Sequence, residues 1–381
     1  MRTLAAAACG LLTLSGVVRA ETFIWTGEAG ADWHNPLNWD RKAVPPDGAD
    51  VVVGSGSVLL TNVTAELASF TMNSGTLTFS NWTTRLSATE IELQGGTVTH
   101  FENTAAAAPW TPDARVWLAC STFTLGASAS ITLDSRGYVV NAGYWDGGRG
   151  PGGAIAGSNF GGAGGGGHGG RGGGLGDGGP TNGLAHAPEN PGSSGGNSGG
   201  TPGKGGGALR IDASGTVTVD GTISANGQNS IVGGGAGGAV WITCHRINGT
   251  GTIRANGGNC TRSSGGGGGG RIAVIYNTTA QAVSPRPEIT YAVAGGTSTG
   301  VEDERGDIGT LYFPDTRFLS ETITWPGQWV IPDFNGWAPA TLTVSNVWTR
   351  FPADGFTYRV AGDVTVVGAS GRLDIGGTHY D

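Results

Sequence analysis

Short runs in which apolar and polar residues alternate recur along the chain, separated by turn-forming glycine, asparagine and serine. Between residues 57 and 133 such runs appear about every ten residues, as in Thr76-Leu-Thr-Phe79. A period of two places successive side chains on opposite faces of a strand. Amphipathic helix patterns of useful length are missing, so the pattern predicts an all-β protein.

The clearest internal repeat lies between residues 205 and 276. Thr-Ile-Ser-Ala-Asn-Gly ends at Gly227, and Thr-Ile-Arg-Ala-Asn-Gly ends 30 positions later at Gly257. A fixed period with two or three short strands per unit predicts stacked repeats, here called rungs. Ile223 and Ile253 should then occupy neighbouring layers of one interior. Because Asn-Gly hairpin joints are scarce, we predict parallel pairing and a right-handed parallel β-helix or closely related solenoid.

The pattern divides the chain into six segments. They are a signal peptide (1–20), a Trp-rich N-terminal cap (21–56), β-helix rungs (57–140), a glycine-rich insertion (141–207), further rungs (208–313) and a last stretch of β rungs (314–381). The last stretch stops in mid-pattern. We therefore expect either a longer parent chain or an end stabilised by another chain.

The N-terminus predicts export. Arg2 precedes an apolar run from Leu4 to Val18, and the small residues Val18 and Ala20 are placed for cleavage before Glu21. Other apolar segments fall well short of the ~20 residues that a membrane-spanning helix needs. The mature chain is expected to be secreted or attached to the cell surface, without spanning the membrane.

Composition narrows the range of partners. Glycine accounts for 74 of 381 residues, charged residues for 13%, and the net charge is -8. Lys204 is the one lysine after Lys42. Nucleic acids and anionic membranes require clustered Lys and Arg, so this composition argues against both as partners.

Three cysteines remain after the predicted cleavage. Cys120 and Cys244 occupy one repeat position, with Ala213 at that position in the intervening rung. Two strand spacings of roughly 4.8 Å separate them, which exceeds the reach of a disulfide. We predict buried apolar packing for the thiols, and pairing of Cys244 with Cys260 is the one disulfide left open.

The glycine-rich insertion has two interpretations. From His168 a period of three holds briefly, in His168-Gly-Gly-Arg171-Gly-Gly-Gly174. Extended segments with three residues per turn can pack side by side when nothing projects from the backbone. A flexible loop is the alternative, because glycine loses the most conformational entropy on ordering. His168 and His186 flank this segment and are expected to be exposed.

Tryptophans mark the N-terminal segment, where Trp25, Trp33 and Trp39 lie among prolines and turns. An open stack of strands needs its apolar end covered, which favours a cap. The functional alternative is carbohydrate binding, in which Trp33 or Trp39 stacks on a sugar ring.

Several motifs together resemble a known group of proteins. They are the two Thr-Ile-x-Ala-Asn-Gly units, the glycine run before Arg271-Ile-Ala-Val-Ile-Tyr, and Gly309-Thr-Leu-Tyr312. They resemble the glycine-rich, parallel β-helix-like repeat region of large exported bacterial surface proteins. The module from Trp25 to Val53 is similar to the Trp-rich start segment of many such proteins. The resemblance implies the fold and export, and it brings no catalytic motif.

One repeat position carries amides, and a nearby pair offers acid and base chemistry. Asn226 and Asn256 share the amide position, so a structural ladder from rung to rung is expected, with Arg136 interrupting it in an earlier unit. In a polysaccharide lyase, Asp134 could act as the base and Arg136 could stabilise the charge that forms. A surface ion pair is the structural alternative.

An acidic turn is the candidate metal site. Asp303 and Asp307, with the glutamates beside Asp303, supply oxygen ligands for calcium, but the spacing matches no strict calcium loop. A solvated turn is the alternative, and no other cofactor is predicted.

Two hypotheses for the function follow. The first is a noncatalytic exported surface or extracellular protein with a structural or adhesive role, since no reactive cluster stands out. The second is a polysaccharide-binding or polysaccharide-degrading β-helix, either a lyase or a glycoside hydrolase, whose aromatic and carboxylate side chains should line one groove. Polysaccharides or other cell-surface components are the expected partners in both.

Overall fold

The computed structural model describes residues 20–140, 143, 145–155, 162–174, 177–299 and 304–376. The predicted signal peptide falls outside these residues except for residue 20. Seven strands precede the glycine-rich insertion: β1 (Thr22–Ile24), β2 (Asp50–Val53), β3 (Ser57–Leu60), β4 (Glu66–Met72), β5 (Thr76–Phe79), β6 (Leu86–His100) and β7 (Val116–Thr132). The alternating runs predicted from the sequence merge in β6 and β7, which extend over 15 and 17 residues.

Nine strands and a short helix follow the insertion. They are β8 (Ala208–Ala213), β9 (Thr216–Val219), β10 (Thr222–Ser224), β11 (Ala239–Thr243), β12 (Arg246–Asn248), β13 (Thr252–Arg254), β14 (Arg271–Ile275), α1 (Thr278–Ala282), β15 (Thr290–Ala292) and β16 (Thr310–Tyr312). The helix begins at the N-cap Asn277, whose side chain accepts a hydrogen bond from the Ala280 amide at 2.8 Å.

Eight further strands complete the described chain: β17 (Thr322–Ile323), β18 (Gly327–Val330), β19 (Gly336–Trp337), β20 (Leu342–Ser345), β21 (Trp348–Phe351), β22 (Thr357–Tyr358), β23 (Val364–Val367) and β24 (Arg372–Ile375). Parallel pairing with the main sheet continues in this region, because Gln328 pairs with Thr310 and with Arg350. β17, β20 and β23 form a separate small sheet, as do β19 and β22.

Pairing is parallel between all named strands of the described chain, and it follows the sequence repeat. Strands β8, β9 and β10 each pair with the corresponding strand of the next repeat, β11, β12 and β13. Ile223 pairs with Ile253, and both side chains are fully buried. The predictions of an all-β protein and of neighbouring layers for these two isoleucines are confirmed.

An interior column forms because inward side chains recur in register from layer to layer. Alternation in β9 buries Val217 and Val219 and leaves the threonines beside them half-buried. One column of buried apolar side chains crosses seven paired strands, and its members are Val58, Leu77, Val98, Ile131, Ile223, Ile253 and Tyr291.

The N-terminal tryptophans are packed in the core. Trp39 forms edge contacts with Trp25 and Trp33, with ring centroids 5.0 and 4.8 Å apart. The Trp39 indole N–H also donates to the Trp33 carbonyl at 2.8 Å. These contacts join the chain before β2 to the apolar core, since the Trp33 ring also lies 6.1 Å from the ring of the buried Phe70.

Glycine-rich segments pack side by side along one side of the repeats. Gly166 donates to Gly234, Gly234 to Gly265, and Gly265 to Ala163. Three residues further along, Gly237 donates to Gly268, and Gly268 to Gly166. A period of three in the hydrogen bonds is that of extended, polyproline II-like chains. In the described parts of the insertion, the extended segments therefore pack side by side, and the alternative of a flexible loop does not apply there.

Candidate functional site

A ladder of side-chain oxygens crosses four consecutive layers. The Asp134 Oδ1 atom accepts a hydrogen bond from the Asn226 amide at 2.7 Å. Asn226 Oδ1 accepts a hydrogen bond from the backbone N–H of Asn256 at 2.8 Å, and Asn256 Oδ1 accepts one from the backbone N–H of Ala294 at 2.8 Å. Each side chain therefore satisfies a backbone donor of the next layer, which couples the layers in addition to the strand pairing.

Register decides which residue begins this ladder. Ser224 pairs with Thr132, which places Asn226 opposite Asp134, two residues further along both segments. The expectation that Arg136 occupies and interrupts this position is wrong. Arg136 instead lies 3.8 Å from the Glu102 carboxylate, which also accepts a hydrogen bond from Lys204 at 2.7 Å. Asp134 and Arg136 thus have separate partners.

A second ladder runs beside the first. Asn229 Oδ1 accepts a hydrogen bond from the backbone N–H of Asn259 at 2.8 Å, and Asn259 Oδ1 accepts one from the backbone N–H of Thr297 at 2.9 Å. The two asparagines stand three residues after Asn226 and Asn256. In an extended segment with three residues per turn, positions i and i+3 lie on the same side. Sequence reasoning missed Asn229 and Asn259, although the Asn-x-x-Asn spacing recurs after 30 residues.

The two ladders line an open groove of about 630 Å³, here called the amide groove. This volume lies within the range of ~300 to 1,000 Å³ that is usual for ligand sites. Its lining is polar and mostly uncharged, and consists of Asp134, Ser135, Asn226, Gly227, Gln228, Asn229, Asn256, Gly257, Asn259, Ala294 and Gly295. Gln228 Oε1 accepts a hydrogen bond from the Lys204 backbone N–H at 3.1 Å, so this fifth side-chain amide is oriented in the same way.

A second ordered surface alternates indole and guanidinium groups. Arg115 lies 4.6 Å from the Trp82 ring and 4.4 Å from the Trp117 ring, while Arg210 lies 5.0 Å from Trp117 and 4.6 Å from Trp241. Neighbouring strands are about 4.8 Å apart, and a cation binds a ring within about 6 Å. Stacking in register therefore brings these groups to a favourable distance.

The guanidinium groups of Arg115 and Arg210 both lie over the Trp117 ring, at 4.4 and 5.0 Å from its centroid. Asp212 accepts hydrogen bonds from the Trp117 indole at 2.8 Å and from Arg210 at 2.7 Å, which compensates part of the positive charge. We therefore assign this indole–guanidinium ladder a stabilising role.

The other predicted aromatic and acidic site residues are engaged within the protein. Trp33 and Trp39 are 1% and 0% exposed, so neither ring has an open face for sugar stacking. Asp307 forms an ion pair of 2.8 Å with Arg350, and Asp303 lies outside the described residues. Within the described ranges, no group of three or more His, Cys, Asp or Glu side chains could hold a metal ion.

Two histidines are buried in neutral form. His100 Nδ1 donates to the Phe101 carbonyl at 2.6 Å, and Nε2 accepts from the Ala208 amide at 3.0 Å. Burial lowers the pKa of His100 to about 4. Burial and the nearby Arg271 lower the pKa of His168 to about 3, and its Nδ1 lies 2.9 Å from the Gly237 carbonyl. Exposure was the wrong expectation for His168 and is confirmed for His186.

The three described cysteines are free thiols. Cys120 pairs with Ala213, and Cys244 follows Thr243, the partner of Asp212, so the predicted placement two layers apart is confirmed. Burial raises the pKa of the Cys120 and Cys244 thiols to about 12. Both thiols therefore stay protonated at neutral pH and are poor nucleophiles.

Comparison of the chain with protein-family models, curated proteins and solved structures finds no match. Among the described helices, none has the length and apolar character needed to cross a membrane.

Proposed function

We propose that this chain is a noncatalytic exported protein with a structural or adhesive role, built as a right-handed parallel β-helix. The observation that carries the proposal is the unbroken parallel register through β1, β2, β4, β6, β7, β8, β11, β14, β16, β18, β21 and β24. Parallel strands of one sheet are joined by right-handed connections in nearly all proteins, which supports the proposed hand.

Continuous register supports a stiff scaffold. Twelve strands at a spacing of about 4.8 Å extend roughly 50 Å. Ladders such as Asp134 to Asn226 add bonds between layers to the main-chain pairing. A surface that is long and rigid can present repeated contacts to a partner without losing much conformational entropy on binding.

Engagement of the candidate catalytic groups also supports the noncatalytic role. Asp134 Oδ1 holds the Asn226 amide, and Arg136 faces Glu102. A base in a lyase must reach a substrate proton, and a positioned cation must reach the charge that forms. Because each group has its own structural partner, the polysaccharide-degrading hypothesis is the weaker of the two.

Export is proposed from the N-terminal pattern around Arg2, Val18 and Ala20. Expression of the full chain with a C-terminal epitope in a bacterial host tests it. After fractionation, N-terminal sequencing should find a mature chain in the exported fractions that begins at Glu21. Retention of an uncleaved chain in the cytoplasm would contradict the proposed location.

The absence of catalysis is tested separately. The full chain is incubated with a panel of acidic and neutral polysaccharides while ultraviolet absorbance and new reducing ends are followed. We expect neither signal to exceed that of heat-denatured protein. Release of unsaturated sugar would establish a lyase, and new reducing ends without it would establish a hydrolase. Small-angle scattering of the same sample should give an elongated particle.

A further inference from the structure

We infer that the amide groove binds a neutral polysaccharide, with its row of side-chain NH₂ groups donating to sugar oxygens. The inference deepens the proposed adhesive role and rests on it for the setting in which a glycan is met. It assigns a ligand class to the groove between the two asparagine ladders.

Orientation of the amides follows from their bonds to the backbone. A backbone N–H is a donor, so the atom that faces it must be the amide oxygen. Asn226, Asn256, Asn229 and Asn259 each use Oδ1 in this way. The NH₂ group of each side chain consequently points away from the backbone N–H that bonds to the oxygen of that side chain. Donors are thus oriented before any ligand arrives, which lowers the entropy cost of binding.

The spacing of these donors suits a chain molecule. Neighbouring layers are about 4.8 Å apart, so Asn226 and Asn256 repeat at that interval. Asn226 and Asn229 lie about 9 Å apart along their segment, at a rise of ~3.1 Å per residue. A polymer that presents hydroxyl oxygens at regular intervals can bond several donors at once. A single small sugar can reach only some of them, so affinity should rise with chain length.

Charge selects among polymers. In the described lining of the groove, Asp134 is the one ionisable side chain, and its negative charge opposes an anionic ligand. The net charge of the chain, -8, acts in the same direction. Acidic polysaccharides and nucleic acids are therefore disfavoured, whereas a neutral glycan offers oxygen acceptors for the amides without a like charge.

The test uses a substitution that removes a donor and retains the ladder. Asn256→Asp keeps an oxygen that can accept from the backbone N–H of Ala294. Asp134 already accepts from the backbone N–H of Asn226 in this way in the same ladder. The full chain is run in affinity electrophoresis through dextran, hydroxyethyl cellulose and polygalacturonate. We expect retardation by at least one neutral polymer and none by polygalacturonate. Affinity should fall about threefold in Asn256→Asp and about tenfold in the double variant with Asn259→Asp.

Asn248→Asp is the matched control. Asn248 is exposed on β12 and does not line the groove, so this variant carries the same added charge and should bind like the wild type. Equal affinity of Asn256→Asp and Asn248→Asp, or retardation by polygalacturonate alone, would overturn the inference. Failure of the wild type to bind any neutral polymer would overturn it too, while an elongated, exported and inactive chain would leave the proposed scaffold standing.

Discussion

The Gly166 amide donates to the Gly234 carbonyl at 2.9 Å, which ties the glycine-rich insertion to a repeat 68 positions later. A Cβ atom at Gly166 would lie 2.3 Å from the Ser193 carbonyl oxygen, closer than real contacts permit. Gly166→Ala should therefore lower the free energy of unfolding by roughly 3 kcal/mol, because neighbouring backbone must move apart. Denaturant titration followed by circular dichroism measures this loss.

Gly54→Ala is the control for that change. A Cβ at Gly54 meets nothing within 4 Å, and its φ lies outside the left-handed region. The substitution should change stability by less than about 1 kcal/mol. If both alanine variants unfold alike, the glycine segments are not packed as described.

Loss of a ladder oxygen should destabilise the protein more than loss of the amide donor. Asn256→Ala leaves the Ala294 amide without its acceptor, whereas Asn256→Asp retains one. We expect a cost of about 1 kcal/mol for the alanine variant and less for the aspartate variant. Thermal and chemical unfolding of the two proteins give the comparison. An aspartate variant less stable than the alanine variant would contradict the orientation of the amide.

Replacement of Arg210 by lysine should weaken the indole–guanidinium ladder. The planar guanidinium lies between the Trp117 and Trp241 rings and donates to Asp212, and an ammonium group cannot stack in this way. Arg210→Lys should cost about 1 kcal/mol in unfolding free energy. Arg246→Lys, at an exposed position of β12, serves as the control. Equal stability of the two variants would show that the stacking contributes nothing.

Acid should destabilise the protein through its buried histidines. The pKa of His100 is about 4 and that of His168 about 3 in the folded state, against an ordinary value of 6.5. As the pH falls below 6.5, the two imidazoles therefore become protonated in the unfolded chain while they stay neutral in the folded chain. Each histidine contributes its full stability above pH 6.5. That contribution is lost as the pH falls from 6.5 to the pKa of the folded state, and the loss is about 3 kcal/mol for each histidine at pH 4.

Proton NMR separates this effect from that of the carboxylates. The ring resonances of His100 and His168 should stay unchanged between pH 8 and 5. Unfolding free energies measured at pH 7 and pH 4 should then differ by at least the histidine contribution. Titration of either ring near pH 6.5 in the folded protein would show that it is not held neutral.

The layers of the fold could be predicted from the sequence, whereas most of the site could not. The 30-residue interval between Gly227 and Gly257 was enough to predict that Ile223 and Ile253 share an interior. It was not enough to choose Asp134 over Arg136 as the start of the ladder, because no repeat spacing connects β7 to β10 across the insertion. Nor could it bury His168, whose neighbours in sequence are glycines but whose contacts come from later repeats.

Alternation with a period of two and a fixed repeat length determined the all-β class, the parallel layers and the separation of Cys120 from Cys244, since these follow from local geometry and strand spacing. Tertiary structure alone decided that glycine segments distant in the chain bond to one another, that Trp33 and Trp39 are covered, and that five amides converge on one groove. The physical reason is that strand register is local to a repeat, whereas burial and hydrogen-bond partners depend on which segments the whole chain brings together.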